Sequence, residues 1–152
     1  MKIMVSACLL GENCKYNGGN NIRPDLLRLL SGYTVIPVCP EVLGGLPVPR
    51  IPAEIVNGTV MNRDGECVDA AFRLGTEKAL EIAKREQPAL IILQSRSPSC
   101  GVKQVHDGTF SGMLIPGEGV FAELARQAGF HVVDVEDMSQ DGQRNLAEVI
   151  LI

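Results

Sequence analysis

Three cysteines each follow a short apolar stretch that is typical of a buried strand. The stretches are residues 2–5, 34–38 and 89–93, and the cysteines that follow them are Cys8, Cys39 and Cys100. Open α/β sheets place their functional sites at the carboxyl ends of parallel strands. Thiolates at such positions are ligands for zinc or for iron–sulfur clusters. The spacing therefore predicts that the three thiols meet in one site.

The number and spacing of these thiols indicate which group they would bind. A structural zinc site needs four ligands and usually takes them from closely spaced pairs, whereas this sequence has no C-x-x-C pair. Iron–sulfur clusters usually take four thiolates. Three would leave one iron open to bind a substrate as a Lewis acid. For any one cysteine considered alone, burial as a small apolar side chain is the alternative.

The composition indicates an intracellular protein that has no membrane anchor. The 152 residues carry a net charge of −4, which makes a nucleic acid a poor partner. No apolar run approaches the roughly 18–20 residues of a membrane-spanning helix, and residues 1–10 lack the flanks of a signal peptide. In the cytoplasm thiols stay reduced. We therefore expect the five cysteines to serve a bound group or catalysis, not disulfides.

Alternating strand and helix patterns predict one α/β domain over residues 1–152. Strands are expected at residues 2–7, 33–38, 89–93 and 131–135, and helices from residue 24 and at residues 68–86, 120–128 and 143–150. This order predicts a Rossmann-like three-layer sandwich with a mainly parallel sheet. Right-handed crossovers and a reversal beside the first strand place the strands in the order 2-1-3-4. The strands that lead to Cys39, Cys8 and Cys100 are then neighbours.

The segments between these elements are predicted to be loops and small hairpins. Residues 54–61 form a hairpin on an Asn-Gly turn, and the glycine-rich residues 101–119 form a small hairpin or lid. Residues 8–21 are expected to be a glycine- and asparagine-rich loop. The prolines and glycines after Cys39 predict a rigid loop of preset shape.

Three motifs resemble those of the thiouracil desulfidase family. They are SACLLG at residues 6–11 with Tyr16 and Gly18, CPE at residues 39–41 with GGL at residues 44–46 and PR at residues 49–50, and SPSCG at residues 97–101. The match covers essentially the whole chain. The resemblance implies a 4Fe–4S cluster held by Cys8, Cys39 and Cys100. It also implies a non-redox reaction that removes sulfur from a thiolated uracil.

Glu41 and Ser97 are the predicted catalytic residues. Glu41 lies two positions after Cys39. A Glu at such a position could be an ordinary surface carboxylate, but the resemblance favours a role as a proton shuttle. Ser97 precedes a proline and has no adjacent His or Lys base in the sequence, so we expect it to orient substrate or water, with turn capping as its alternative. The hypothesis is that an open iron polarises the C–S bond of a 4-thiouracil-like base. Glu41, helped by Ser97, then passes protons while water replaces sulfur, which gives uracil and hydrogen sulfide.

Tyr16, Asn17 and Arg50 are candidates for substrate binding. An aromatic ring and an amide suit stacking on a pyrimidine and hydrogen bonding to it, whereas Arg50 is expected to line the pocket or to form an ion pair. Residues 15–18 read KYNG where family members often read RYDG. The predicted partner is thus a small thiolated pyrimidine, and the sequence does not predict an oligomeric state.

Two other classes of function stay open on the sequence alone. One is a cluster- or metal-bearing protein that transfers sulfur or senses redox state without this hydrolysis. The other is a cysteine-dependent hydrolase or phosphatase that uses Cys8, because Cys8-x5-Cys14 has the spacing of a small phosphatase loop. Such a loop ends in arginine, and Lys15 supplies only a point charge one position late.

The remaining cysteines and histidines receive mainly structural interpretations. We expect Cys14 to be a bystander, with a role as a spare cluster ligand left open, and Cys67 to be structural at the start of the long helix. His106 is expected to be an exposed loop residue, and His131 is expected to pack at the start of a strand.

Overall fold

The structure, a computed structural model, describes residues 1–139 and 146–151. In chain order its strands are β1 (Lys2–Ser6), β2 (Thr34–Val38), β3 (Ala53–Val56), β4 (Thr59–Asn62), β5 (Leu90–Leu93), β6 (Gln104–His106), β7 (Leu114–Pro116) and β8 (Val132–Asp134). Its helices are α1 (Pro24–Leu29), α2 (Pro40–Leu43), α3 (Asp69–Glu86), α4 (Val120–Gln127), α5 (Val135–Ser139) and α6 (Leu146–Leu151). A 3₁₀ turn covers Ala7–Leu10.

The main sheet is parallel and follows the order β2-β1-β5-β8. Met4 in β1 lies between Ile36 of β2 and Ile91 of β5. All four residues of β5 are buried, as expected of a parallel strand covered by helices on both faces. The predicted fold class and the predicted order of the four sheet strands are confirmed.

Apolar side chains pack on both faces of this sheet. Because successive strand residues point to opposite faces, Ile3 joins a cluster that also contains Leu26 of α1. Its neighbour Met4 joins a second cluster, which contains Ala79 of α3 and Phe121 of α4. The two clusters give the three predicted layers.

Three short helical segments lie where the sequence predicts loop or strand. Ala7–Leu10 forms the 3₁₀ turn, and α2 lies inside the predicted rigid loop, with Pro40 at a position where a proline favours helix initiation. Val135, predicted to end the last strand, begins α5, and Asp134 Oδ1 accepts a hydrogen bond from Glu136 N. Segments this short show no helical periodicity. The predicted terminal helix at 143–150 corresponds to α6, and its first three positions lie outside the described residues.

Two glycines allow α2 to lie directly against α3. A Cβ atom on Gly75 would be 1.7 Å from the carbonyl oxygen of Pro40, and one on Gly44 would be 2.0 Å from that of Ala71. Neither distance leaves room for a side chain. This close contact places Pro40, which lies between Cys39 and Glu41, against Gly75 of α3 and so fixes the position of the start of α2.

Two antiparallel hairpins extend from the main sheet. β3 and β4 meet at Asn57 and Gly58, whose φ angles of 50° and 81° fit the predicted Asn-Gly turn. β6 pairs with β7 and confirms the hairpin expected within residues 101–119. In the part of the chain that the structure describes, no helix is both long and apolar enough to cross a bilayer.

Candidate active site

Three cysteines at the carboxyl ends of neighbouring strands line one cavity. Cys8 lies in the 3₁₀ turn after β1, Cys39 lies between β2 and α2, and Cys100 lies in the loop that follows β5. The cavity has a volume of about 380 Å³. Small-molecule sites typically span about 300–1,000 Å³. The structure thus brings together the three thiols predicted to be ligands, in a space that fits a small substrate.

The environments of these thiols favour different protonation states. A hydrogen bond with the Cys14 thiol is the main cause that lowers the pKa of Cys8 to about 7, and the same thiol lowers the pKa of Cys39 to about 7. Asn21 Nδ2 also donates to Cys8 Sγ at 3.5 Å. The hydrogen bonds that the Cys14 thiol makes with Cys39 and Cys8 raise its own pKa. Burial raises the pKa of Cys100.

The donor set fits a cluster better than a single ion. Among residues 1–139 and 146–151, no group of three His, Cys, Asp or Glu side chains could hold one metal ion. The thiolates of a four-iron cluster each bind a different iron, so they surround a cavity and do not converge on one atom. Easily ionised Cys8 and Cys39 suit this role, and a metal also deprotonates a buried thiol such as Cys100.

Glu41 is held between an arginine and two serines. Its Oε1 lies 3.0 Å from Arg50 Nε, and the two side chains are only 14% and 8% exposed. Its Oε2 accepts a hydrogen bond from Ser99 Oγ at 2.7 Å and a longer one from Ser97 Oγ at 3.4 Å. The two residues predicted to be catalytic therefore lie in contact. Their catalytic roles stay predictions.

The hydroxyl of Ser97 also organises the loop that carries Cys100. It accepts hydrogen bonds from Ser99 N at 3.1 Å and from Cys100 N at 3.0 Å. A Cβ atom on Gly101 would be 2.7 Å from Ser97 O, so the turn closes on itself at that point. Ser97 thus combines the turn-capping role considered as its alternative with a contact to Glu41.

Arg50 and Tyr16 line the cavity, whereas Asn17 does not. Arg50 forms the ion pair considered for it and also donates from Nη2 to Cys14 O at 2.9 Å. Tyr16 is 43% exposed at the cavity. Asn17 Oδ1 accepts a hydrogen bond from Gly19 N at 2.9 Å, which is a local turn contact. The predicted roles of these three residues in substrate binding stay predictions.

Several cavity residues escaped the reasoning from sequence. Ser99 lies inside a recognised motif, and the short hydrogen bond to Glu41 depends on how α2 packs. Cys14, expected to be a bystander, lines the cavity beside Cys8 and Cys39. The expectation that His106 is an exposed loop residue is wrong, because it ends β6, is half-buried and lines the cavity. Local sequence carries no signal for this placement, which depends on hairpin packing.

A comparison with protein families gives a match over most of the chain. The family model described as 2-thiouracil desulfurase matches residues 3–137. The chain belongs to the 2-thiouracil desulfurase family. The chain is also similar to an individual protein, YbbK of Bacillus subtilis (strain 168), which is described as uncharacterized. It is 37% identical over 147 residues, which cover 90% of this chain and 97% of YbbK.

A solved structure also resembles this member of the 2-thiouracil desulfurase family. It is that of the [4Fe–4S]-dependent thiouracil desulfidase TudS, which is 37% identical in sequence and has a TM-score of 0.85. The likeness covers 92% of this chain and 93% of TudS. The family predicted from the three cysteine motifs is therefore confirmed.

Proposed function

We propose that this protein is a 4Fe–4S-dependent desulfidase that converts a thiolated uracil and water into uracil and hydrogen sulfide. The observation that carries the proposal is one cavity lined by Cys8, Cys39 and Cys100 and by the hydrogen-bonded carboxylate of Glu41. The predicted enzyme class, desulfidase activity and cofactor are confirmed by the family match and the likeness to TudS. The residue roles given below are our proposal.

Cys8, Cys39 and Cys100 would hold the cluster through their three thiolates. A bound cluster with an open iron would supply a Lewis acid that polarises the thiocarbonyl group of the substrate. The overall change replaces C=S by C=O, so the oxidation state of the carbon is unchanged. The chain therefore has to supply proton transfer and substrate orientation.

Glu41 is suited to proton transfer because one end of its carboxylate is anchored. Arg50 holds Oε1, which leaves Oε2 directed at the hydroxyls of Ser99 and Ser97. We assign Oε2 as the atom that accepts a proton from the attacking water and returns it to the departing sulfur. A positioned acid–base group of this kind contributes about 10²–10⁴-fold in rate. The serine hydroxyls orient the carboxylate and the water.

The proposed substrate is a free base or nucleoside that contains one thiocarbonyl group. The sequence motifs predict a 4-thiouracil-like base, whereas the family description names 2-thiouracil, so both isomers belong in the assay. A net charge of −4 opposes a nucleic acid. We further propose that residues 1–152 act as one domain in the cytoplasm, where reduced thiols persist.

The test is iron content and sulfide release by protein prepared and reconstituted without oxygen. We expect about four irons per chain and release of sulfide from 4-thiouracil, 2-thiouracil or both. Glu41→Gln, which keeps the shape of the side chain, should retain iron and lose about 10²–10⁴-fold in kcat. A triple Cys8/Cys39/Cys100→Ala variant should lose both iron and activity.

Two results would contradict the proposal in different ways. A wild-type protein that stays free of iron after reconstitution would remove the cluster-dependent reaction and favour the cysteine hydrolase. A protein that binds iron but releases no sulfide would favour the sulfur-transfer or redox-sensing alternative. Wild-type turnover by Glu41→Gln would remove Glu41 as the proton shuttle and leave the cluster assignment intact.

A further inference from the structure

The β6–β7 hairpin forms one wall of the cavity. None of the residue roles proposed above belongs to this hairpin. His106 and Phe110 lie on this wall. The carboxylate of Glu54, a buried residue of β3, accepts hydrogen bonds at Oε1 from Gly108 N at 3.0 Å and from Phe110 N at 3.1 Å. One buried carboxylate therefore holds the loop that directly follows His106.

The backbone of this loop has a preset conformation. Phe110 has a φ of 57°, in the left-handed region that non-glycine residues rarely occupy. Gly108 has a φ of 92°, and a Cβ atom there would be 2.7 Å from Ile55 O. Unusual φ values persist only where the surroundings enforce them. The hairpin wall thus presents His106 to the cavity from a defined position.

The ring of His106 is the polar group on this wall that lacks a protein partner. Its Nδ1 atom is buried and has no hydrogen-bond partner within the described part of the chain. Neutral imidazole has one donor and one acceptor nitrogen. If the proton were on Nδ1, the ring would have a buried N–H group without an acceptor. Buried N–H groups without an acceptor are rarer in proteins than buried acceptors without a donor. A neutral ring with its proton on Nε2 avoids this arrangement and makes Nε2 a hydrogen-bond donor.

We propose that His106 is a specificity-determining residue whose Nε2–H binds the carbonyl oxygen that remains on the thiolated pyrimidine. This inference rests on the proposed function, because it names a contact for the same substrate in the same cavity. Each monothiouracil has one C=O group besides its C=S group. A donor on the hairpin wall would bind the oxygen and leave the thiocarbonyl group to the cysteine side of the cavity. Sites built to hydrogen-bond a substrate discriminate strongly against analogues that lack the group.

The test compares three variants with the wild-type holoenzyme. His106→Leu removes the donor, His106→Gln places an amide N–H near the position of Nε2, and His131→Leu alters a histidine that does not line the cavity. The measurements are kcat and KM for sulfide release from thiouracil and from 2,4-dithiouracil, and Kd for uracil by calorimetry. Uracil keeps both oxygens and has no sulfur, whereas 2,4-dithiouracil has no carbonyl oxygen.

We expect His106→Leu to raise KM for thiouracil and Kd for uracil about tenfold, the effect of one lost hydrogen bond, with kcat changed less than about threefold. His106→Gln should recover most of the affinity, and His131→Leu should match wild type. For 2,4-dithiouracil, His106→Leu should leave KM unchanged. This last readout separates an oxygen contact from general damage to the cavity.

Several outcomes overturn the inference, and they are separable from failure of the proposed function. Wild-type values of KM and Kd in His106→Leu would remove the contact while desulfidation stands. A loss of equal size with 2,4-dithiouracil would show a structural role and would also remove it. If the wild type releases no sulfide but its uracil binding depends on His106, the reaction fails and the contact stands. If it also fails to bind uracil, both are overturned.

Discussion

Ser99 Oγ lies 2.7 Å from Glu41 Oε2, whereas Ser97 Oγ lies 3.4 Å from the same oxygen. Ser99 is 1% exposed, so its hydroxyl meets the carboxylate away from bulk water. The Ser97 hydroxyl accepts hydrogen bonds from the backbone N–H groups of Ser99 and Cys100. The two hydroxyls also lie 2.9 Å from each other. Ser99 therefore makes the shorter contact with Glu41, whereas Ser97 is the residue that caps the loop carrying Cys100.

Replacing Ser99 by Ala should lower kcat and leave iron content unchanged. The substitution removes a charge-assisted hydrogen bond, and such bonds contribute about 1.5–3 kcal/mol, which corresponds to a tenfold to hundredfold change in rate at most. Sulfide release and iron content measured on the same preparation test this. Ser31→Ala, at an exposed serine, is the matched control. Unchanged kcat in Ser99→Ala would contradict the role given to its hydroxyl.

Replacing Ser97 by Ala should shorten the lifetime of the bound cluster. The backbone N–H groups of Ser99 and Cys100 lose their acceptor, so the loop that presents the Cys100 thiol is less well ordered. The measurement is the decay of visible absorbance in the presence of a chelator, compared with wild type and Ser99→Ala. Decay as slow as in wild type would show that the cap is dispensable for holding the cluster.

Replacing Arg50 by Gln should destabilise the protein strongly. The Arg50–Glu41 pair is nearly buried, and removing one partner of a buried pair typically costs about 3–5 kcal/mol. Arg50→Lys keeps the charge but loses the planar guanidinium group that also donates to Cys14 O. Its free energy of unfolding should therefore lie between those of the wild type and Arg50→Gln. Denaturant unfolding measures these differences. Arg28→Gln, which breaks the exposed pair with Asp25, should change little, and equal effects at both sites would contradict the prediction.

In the cluster-free protein, Cys8 and Cys39 should become reactive near neutral pH. Each thiol has its pKa lowered to about 7, chiefly by a hydrogen bond with Cys14. Below that pH the thiol is protonated and unreactive, and above it the thiolate reacts, so the alkylation rate should rise through pH 7. Iodoacetamide labelling followed by peptide mass spectrometry measures the midpoints.

The matched variant for this prediction is Cys14→Ala. Loss of the hydrogen-bond donor should move both midpoints upward, towards the ordinary thiol value of 9.0. Cys100 should stay unlabelled across this range in both proteins, because burial raises its pKa and shields it from reagent. Identical midpoints for Cys8 and Cys39 with and without Cys14 would show that this thiol does not set their ionisation.

Replacing Gly75 by Ala should destabilise the protein although alanine is the better helix former. Intrinsic propensity alone would stabilise α3 by about 1 kcal/mol. The new Cβ would lie 1.7 Å from Pro40 O and 2.9 Å from Gly44 N, so α2 has to move away from α3. We expect a lower Tm and a lower iron content, because Cys39 and Glu41 flank Pro40. Lys78→Ala on the exposed face of α3 is the control, and a Tm in Gly75→Ala at or above wild type would contradict the close contact.

The sequence alone predicts the sheet, its strand order and the ligand set. β5 is a continuous apolar run, and β1 and β2 contain shorter ones at residues 3–5 and 35–38. Runs of this kind are typical of strands in a parallel sheet. Strand order then follows from crossover handedness, and it makes Cys39, Cys8 and Cys100 neighbours. The three cysteine motifs are also local, which is why they identify the family without coordinates.

Tertiary structure decides which side chains surround those thiols. The 2.7 Å contact of Ser99 with Glu41 depends on α2 lying against α3, and that packing depends on the absent Cβ atoms of Gly44 and Gly75. The placement of His106 at the cavity depends on the hairpin that Glu54 holds. Such contacts join residues far apart in the chain, and their geometry follows from packing distances of a few ångströms. Local periodicity contains no record of those distances. The sequence therefore determines which cysteines follow the strands and are predicted to be ligands, whereas only the folded chain determines which side chains surround them.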